Sequence, residues 1–193
     1  MQRVCVFCGS NMGLRPAYQL AAAAMGKTLV ERGLELVYGG GNVGLMGVVA
    51  DAALDAGGRV IGVIPQILVD KELAHPNLTQ LHIVNSMHER KALMADLSDA
   101  FIALPGGFGT FEEFCEVLTW SQLGIHQKAF GLLNVERYYD SLLTLFDHAV
   151  DEQFLALKHR NLVLQDSHPA KLLDRLETYQ PVVADKWLNR SQR

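Results

Sequence analysis

One arginine in this sequence lies where the surrounding pattern favours an apolar side chain. The stretch MHERKALMADL, from Met87 to Leu97, predicts a helix with apolar residues three and four positions apart, and Arg90 falls on that stripe. A guanidinium on such a stripe needs a partner, because an unpaired buried charge is very unfavourable. Two interpretations follow: Arg90 faces a ligand, or it extends to the surface, where it is solvated or pairs with Glu89 or Asp96.

A pair of carboxylates follows a glycine-rich loop in the stretch ALPGGFGTFEEF, from Ala103 to Phe114. Glu112 is interpreted as a solvated acid near the start of a helix, where the helix dipole favours it. Glu113 falls on a second face of that helix, beside apolar residues. It either complements the dipole or is aimed at the sugar of a bound nucleotide. A helix with apolar side chains on two faces also favours contact with a second subunit.

Glycine-rich loops follow three of the predicted strands. Their sequences are CGSNMG at Cys8–Gly13, YGGGNVGLMG at Tyr38–Gly47 and PGGFGT at Pro105–Thr110. In open α/β sheets, ligands bind outside the carboxyl ends of the strands. Glycine lets backbone amides approach a ligand, and the helix that follows offers free N–H groups and a positive dipole end. Three such loops on one edge of a sheet predict a phosphate-binding site.

The second loop also matches a dinucleotide fingerprint, Gly39-x-Gly41-x-x-Gly44, but its context differs. That fingerprint requires an acid about 20 residues on, at the end of the next strand, and this sequence has GVIPQ there. The pattern G-x-x-x-x-G-K-[ST] of P-loop nucleotidases is absent as well. We therefore expect neither a nicotinamide or flavin cofactor nor a P-loop.

The elements that position these loops alternate between strand and helix along the chain. Apolar runs predict strands at Arg3–Phe7, Glu35–Tyr38, Arg59–Ile64, Leu81–Val84, Ala100–Leu104, Ala129–Leu133 and Leu162–Leu164. Helical periodicity predicts helices at Pro16–Arg32, Leu45–Ala56, Met87–Leu97, Thr110–Leu123, Tyr139–Gln153 and Pro169–Tyr179. This order predicts an α/β fold with a doubly wound, mainly parallel sheet of about six to seven strands and helices on both faces. We expect one domain over residues 1–180, a surface loop at Gln66–Gln80 and a polar tail at 181–193.

Composition narrows the classes of function. The 193 residues are 49% hydrophobic and 20% charged, with a formal net charge of −4 and no basic block, so binding to a nucleic-acid polymer is not expected. No apolar stretch is long enough to span a membrane, and the chain enters a strand at once, so neither a membrane anchor nor a signal peptide is expected.

The cysteines leave two interpretations. Cys5-x-x-Cys8 has redox or zinc spacing, but it lies in a predicted buried strand and no second pair completes a zinc site. Buried thiols, no metal site and a reducing, cytoplasmic location are therefore expected.

Several of these motifs occur together in one known family. PGGFGTFEE fits the pattern PGGxGTxxE with Glu113 as its last acid, YGGGNVGLMG and MHERK precede it in order, and VFCGS lies near the start. The sequence resembles the LOG ("lonely guy") family of cytokinin riboside 5′-monophosphate phosphoribohydrolases, which were formerly labelled lysine decarboxylases. The resemblance extends to about Gln165.

The resemblance implies a Rossmann-like fold, a homodimer and no cofactor. It implies cleavage of the N-glycosidic bond of a nucleoside 5′-monophosphate to the free base and ribose 5-phosphate, with Arg90 and Glu113 as the catalytic pair. The implied substrate- and phosphate-binding residues are Gly9, Ser10, Gly40, Gly41, Lys91, Gly106, Gly107, Gly109 and Thr110. If Arg90 and Glu113 pair, we expect the pKa of Glu113 to fall.

Other functions stay open at this point. A protein with the same loops could carry a nucleotide or molybdenum cofactor without chemistry, although a carrier has no need of both Arg90 and Glu113. A pyridoxal-phosphate decarboxylase would need a Schiff-base lysine, for which Lys91 is the candidate. Within the hydrolase interpretation, the preferred base is undetermined. Asp96, His88 and solvent are all candidates for the acid that protonates the leaving base.

Overall fold

The computed structural model describes residues 1–71 and 73–181, so the predicted tail lies outside the described residues apart from Pro181. The strands are β1 (Arg3–Phe7), β2 (Glu35–Tyr38), β3 (Val60–Pro65), β4 (Gln80–Val84), β5 (Ala100–Ala103), β6 (Ala129–Leu133) and β7 (Val163–Asp166). The helices are α1 (Pro16–Glu31), α2 (Gly44–Asp55), α3 (Gln66–Val69), α4 (Met87–Asp96), α5 (Phe108–Gln122), α6 (Asp140–Asp151), α7 (Leu157–Arg160) and α8 (Pro169–Glu177), with a 3₁₀ turn at Val135–Arg137.

The seven strands form one sheet in the order β4-β3-β2-β1-β5-β6-β7, and every pairing is parallel. The predicted doubly wound α/β fold is confirmed. The chain first builds outward from β1 to β4, then returns to build β5 to β7 on the other side of β1. The strand order therefore reverses between β1 and β5, and a doubly wound sheet opens a ligand crevice at such a switch point.

Side chains of β1 alternate between two cores, one on each face of the sheet. Val4 and Val6 pack with residues of α1, α2 and α8, whereas Cys5 and Phe7 pack with residues of α4, α5 and α6. Because both faces are covered, the inner strands β1, β2, β3, β5 and β6 consist mostly of buried apolar residues. The expectation of buried thiols is confirmed, since Cys5 and Cys8 are both free and buried. Burial also raises the pKa of each of these two thiols, which keeps them protonated and unreactive.

The stretch predicted as a surface loop, Gln66–Gln80, is more ordered than expected. It contains the short helix α3, and Ala74 forms an antiparallel bridge with Gly41. His75 is buried, donates its backbone N–H to the carbonyl of Gly40 at 2.9 Å, and places its ring 3.0 Å from a carboxylate oxygen of Asp51. This segment therefore holds the glycine loop that follows β2.

Over the described residues, no helix has the length and apolar character needed to cross a bilayer. The same part of the chain contains no group of three or more His, Cys, Asp or Glu side chains placed to hold a metal ion.

Candidate active site

The three glycine loops meet at the switch point and are joined by backbone hydrogen bonds. Gly9 N donates to Pro105 O at 3.0 Å, which links the loops after β1 and β5, and Leu45 N donates to Gly9 O at 3.0 Å, which links the loops after β2 and β1. The contact at Gly44 is close: a Cβ there would lie 2.2 Å from the carbonyl carbon of Ser10, and its φ is +56°. Only glycine satisfies both requirements.

A cavity of about 730 Å³ opens among these loops, a volume suited to a small-molecule ligand. Most of the predicted site residues line it, namely Gly9, Ser10, Gly41, Arg90, Gly106, Gly107, Gly109, Thr110 and Glu113. The structure does not bring Gly40 or Lys91 to the cavity wall. Gly40 lies behind the loop, with its carbonyl bonded to His75, and Lys91 points to acids on the outer side of α5.

Helix α5 begins two residues earlier than predicted, and its free end lines the cavity. It begins at Phe108, with Gly107 as an N-cap that has no side-chain hydrogen bond. The bond from Phe111 N to Gly107 O, at 3.0 Å, closes its first turn. The amides of Phe108, Gly109 and Thr110 precede that bond and have no intrahelical acceptor. Free amides at the positive end of a helix dipole form an anion site.

Two neighbouring glycines of this loop test whether it binds phosphate. A Cβ at Gly106 would lie 2.1 Å from the hydroxyl oxygen of Thr110 and 2.8 Å from Gly9 N, whereas a Cβ at Gly107 would meet nothing within 4 Å. We expect Gly106→Ala to lower the melting temperature by several degrees, because the loops must separate. We expect Gly107→Ala to melt like the wild type but to raise the KM for a nucleoside monophosphate about tenfold, because its methyl group enters the anion site. Calorimetry measures the melting temperatures, and steady-state kinetics measures the KM values. A Gly107→Ala protein with an unchanged KM would contradict this assignment.

Arg90 is buried at 7% exposure and bonds in three directions. Its Nε donates to Val63 O and its Nη2 to Gly39 O, both at 3.1 Å, so the guanidinium is fixed by the carboxyl ends of β3 and β2. Its Nη1 lies 3.3 Å from Oε1 of Glu113. A Cβ at position 39 would lie 1.8 Å from Nη2, which explains glycine there. Of the two interpretations of Arg90, pairing with Glu89 or Asp96 is wrong, and Arg90 lines the cavity.

The expectation that pairing lowers the pKa of Glu113 is wrong. Burial raises the pKa of this carboxyl above its ordinary value, Arg90 offsets only part of the effect, and Glu112 adds to it. The 3.3 Å between Nη1 of Arg90 and Oε1 of Glu113 is the distance of a loose ion pair, whereas the Glu113 side chain keeps only 10% of its surface exposed. Desolvation therefore dominates, and it makes the carboxylate a better proton acceptor than a glutamate at the surface.

Two further predictions for α5 are wrong, that of a solvated Glu112 and that of a second exposed apolar face. Glu112 lies in the second turn of the helix, because α5 begins at Phe108, and it pairs with Lys91 rather than with solvent alone. The second apolar face of α5 is not an outer face: Glu113 and Val117 are buried together with Phe114 against the chain's own core. The helix therefore gives no separate argument for a second subunit.

Two tyrosines support the glycine loop that follows β5, and the sequence analysis missed them. The hydroxyl of Tyr138 donates to Gly106 O, and that of Tyr139 donates to Leu104 O at 2.6 Å, so the two side chains hold carbonyls on either side of Pro105. Tyr138 also lines the cavity. The sequence does contain a signal for them. The stretch VERYYD follows β6, and the carboxyl end of β6 lies on the same edge of the sheet as the glycine loops.

The cavity has an apolar wall as well as the glycine loops. Apolar side chains from α2, β3, α3, the segment after α3, and α4 form it, namely Leu45, Met46, Ile64, Leu68, Leu73 and Met94. No sequence pattern indicated this wall, and two of its residues, Leu68 and Leu73, come from the stretch predicted as a surface loop. Of the residues that the structure describes, Arg90 and Glu113 are the only arginine, lysine, aspartate or glutamate in the cavity lining.

Comparison with known proteins places this geometry in a family. The family model described as "Possible lysine decarboxylase" matches residues 46–176. The chain is 52% identical over 180 residues to the cytokinin riboside 5′-monophosphate phosphoribohydrolase LOG7 of Arabidopsis thaliana, covering 93% of this chain and 83% of that protein. It is 54% identical over 181 residues to the probable enzyme of the same name LOGL9 of Oryza sativa subsp. japonica, covering 94% and 80%.

Solved structures share the fold at lower identity. A molybdenum cofactor binding protein from Rippkaea orientalis matches with a TM-score of 0.70 and 22% identity, over 92% of this chain and 97% of that one. The molybdenum cofactor carrier protein of Chlamydomonas reinhardtii matches with a TM-score of 0.67 and 20% identity, over 91% and 96%. At this identity the likeness shows the fold alone. The family model and the identity to LOG7 and LOGL9 over nearly the whole chain show that this chain belongs to the LOG family, the cytokinin riboside 5′-monophosphate phosphoribohydrolases.

Proposed function

We propose that the chain hydrolyses the N-glycosidic bond of nucleoside 5′-monophosphates, AMP or a cytokinin riboside 5′-monophosphate, to the free base and ribose 5-phosphate. The observation that carries this proposal is the buried pair of Arg90 and Glu113, 3.3 Å apart, in a cavity that also contains the uncapped start of α5. The names of the relatives support the same activity.

The start of α5 is the part of the site that binds the phosphate. Free amides of Phe108, Gly109 and Thr110 accommodate an anion without a counter-charge, and the loops at Gly9 and Gly41 close the same space. A nucleotide held by its phosphate keeps its sugar at a fixed place in the cavity. Binding energy from this remote group lowers the entropic part of the barrier to hydrolysis.

Glu113 is the residue that acts on the bond. Hydrolysis at the anomeric carbon passes through an oxocarbenium-like transition state, and a carboxylate beside the ribose stabilises the growing positive charge. The raised pKa of Glu113 also suits it to accept a proton from the attacking water. Arg90 holds the carboxylate in place, because its own position is fixed by Val63 and Gly39. Asp96 and His88 are exposed and do not line the cavity, which leaves solvent as the candidate acid for the leaving base.

The structure argues against a pyridoxal-phosphate decarboxylase. Lys91, the candidate Schiff-base lysine, is held by two carboxylates, and no lysine of the described residues lines the cavity. No contact in the cavity favours a carrier of molybdenum cofactor over a hydrolase.

Product analysis over a panel of nucleoside monophosphates tests the proposed activity. We expect release of adenine and ribose 5-phosphate from AMP, or of the modified base from a cytokinin riboside 5′-monophosphate, and no release from the matching nucleosides, because these lack the phosphate. Chromatography of the free base measures the outcome. Tight binding of AMP without any base release would favour the carrier instead.

We also propose a homodimer in the cytoplasm. The dimer follows from the family resemblance, and light scattering measures it; a monomeric mass would overturn it. The location is supported by three free cysteines, since free thiols persist in a reducing compartment.

A further inference from the structure

Lys91 is a buried lysine next to the proposed catalytic pair, and the proposed mechanism leaves it without a role. It follows Arg90 on α4 and is only 8% exposed, but it does not line the cavity. Its ammonium group forms ion pairs with Glu112 and with Glu116, the second at 3.0 Å. These acids lie one residue before and three residues after Glu113 on α5. Three ion pairs therefore cross from α4 to α5, one between Arg90 and the Glu113 carboxylate and two between Lys91 and the neighbouring acids.

The acids around Lys91 act on Glu113 as well. Glu112 and Glu116 both raise the pKa of Glu113, whereas Arg90 and Lys91 lower it. The other ionisable groups facing Glu113 from the sheet are the thiols of Cys5 and Cys8, which burial keeps protonated and neutral. Four charged side chains thus surround this carboxylate, two of each sign. Lys91 is the cation that touches both acids.

Lys91 itself is held firmly in the charged form. Burial lowers the pKa of its ammonium group, but the hydrogen bonds to Glu112 and Glu116 together raise that pKa above the ordinary value. A buried ammonium is tolerated only when it is paired in this way. Two acids of α5 converge on this single lysine of α4, so the ion pairs tie the turns that flank Glu113 to the helix that carries Arg90.

We propose that Lys91 is a positioning residue, which offsets the charges of Glu112 and Glu116 and so keeps Glu113 ionised and aimed at Arg90 and the cavity. This inference rests on the proposed hydrolase function. It replaces the role suggested for Lys91 by the resemblance, that of a substrate ligand. A ligand would contact the phosphate directly, whereas the ammonium group here is already occupied by two carboxylates.

Three variants separate these roles. Lys91→Gln removes the cation and leaves both acids facing Glu113. The triple variant Lys91→Gln/Glu112→Gln/Glu116→Gln removes the whole group with no net charge left behind. Lys128→Gln is the matched control, because Lys128 also packs on α4, through a hydrogen bond to Ala95 O at 2.7 Å, but is not among the charges acting on Glu113.

The measurement is the pH profile of kcat/KM for AMP. We expect the acid limb of Lys91→Gln to move to higher pH by about one unit, because two uncompensated acids oppose ionisation of Glu113. We expect the limb of the triple variant to return toward that of the wild type, and that of Lys128→Gln to stay in place. A lysine with a purely structural role would lower activity at all pH values without moving the limb. A limb that stays in place in Lys91→Gln would overturn the proposal, and so would a KM for AMP raised equally at every pH, which identifies a phosphate ligand.

A second readout separates failure of this inference from failure of the proposed function. Carbon-13 NMR titration of the side-chain carboxyls, with the Glu113 signal assigned from Glu113→Gln, measures the same pKa without any turnover. We expect it to rise in Lys91→Gln and to return in the triple variant. A wild type that releases no base, with this shift intact, would contradict the hydrolase alone. A wild type that releases base, with no shift, would contradict the role of Lys91 alone.

Discussion

Replacing Glu113 with glutamine is expected to lower kcat for AMP hydrolysis by about 10³-fold, within the range measured for loss of a general base or a charge stabiliser. Glutamine keeps the shape of the side chain but has no negative charge for the oxocarbenium-like transition state, and it accepts no proton from water. Assay of base release measures the effect. The matched control is Glu31→Gln, at an exposed glutamate on α1 that pairs only with Lys27, where we expect wild-type turnover.

Binding of the nucleotide should survive this substitution. The proposed phosphate site consists of the amides at the start of α5, which the Glu113→Gln change does not touch. We expect the dissociation constant for AMP, measured by calorimetry, to stay within a few-fold of the KM of the wild type. Retention of near-normal turnover in a correctly folded Glu113→Gln protein would show that another group performs the chemistry.

Replacing Arg90 with methionine is expected to abolish activity and to destabilise the protein by about 3 kcal/mol at pH 8, the magnitude found when one partner of a buried ion pair is removed. Methionine fits the apolar stripe of α4, but it leaves Glu113 buried without its nearest cation. It also removes the donors to the carbonyls of Val63 and Gly39. Urea unfolding measures the loss of stability.

The destabilisation in Arg90→Met should depend on pH in a definite direction. The pKa of Glu113 is raised in the folded protein, so its contribution to stability is present below the unfolded pKa and is lost as pH rises through the folded pKa. Without Arg90, which lowers that pKa, the loss at high pH becomes larger. We therefore expect Arg90→Met to be destabilised less at pH 5 than at pH 8. Addition of Glu113→Gln should restore part of the stability at pH 8. Equal destabilisation at both values would contradict a role for the Glu113 charge.

The fold and the meeting of the loops were predictable because they depend on local pattern and on a general rule of topology. Continuous apolar strands, glycine at three strand ends and the alternation of strand and helix predict a doubly wound sheet with a site at its carboxyl edge. The position of Arg90 on an apolar stripe left a ligand-facing and a surface interpretation open, and the structure excludes the surface one by burying the side chain at 7% exposure in the cavity wall. The start of α4 follows a local pattern as well: Ser86 precedes the helix, and its hydroxyl accepts a hydrogen bond from Glu89 N.

The remaining features depend on distances between elements that sequence spacing does not encode. Lys91 neighbours Arg90 in sequence, but residues adjacent along a helix point about 100° apart, so one lines the cavity and the other does not. Gly40 lies between two glycines that line the cavity, but it does not line the cavity itself. Its carbonyl accepts a hydrogen bond from the backbone N–H of His75 on the other side of the loop. The direction of the shift in the pKa of Glu113 required the balance between burial and a loose ion pair, which only the packed structure supplies.

The most direct test of the account is a crystal structure of the Glu113→Gln protein soaked with AMP, in which the substrate stays intact. We expect the phosphate on the amides of Phe108, Gly109 and Thr110, and the side chain at position 113 within contact distance of the anomeric carbon of the ribose. A phosphate bound elsewhere, or a residue 113 turned away from the sugar, would contradict the assignment of this cavity as the site of N-glycosidic hydrolysis.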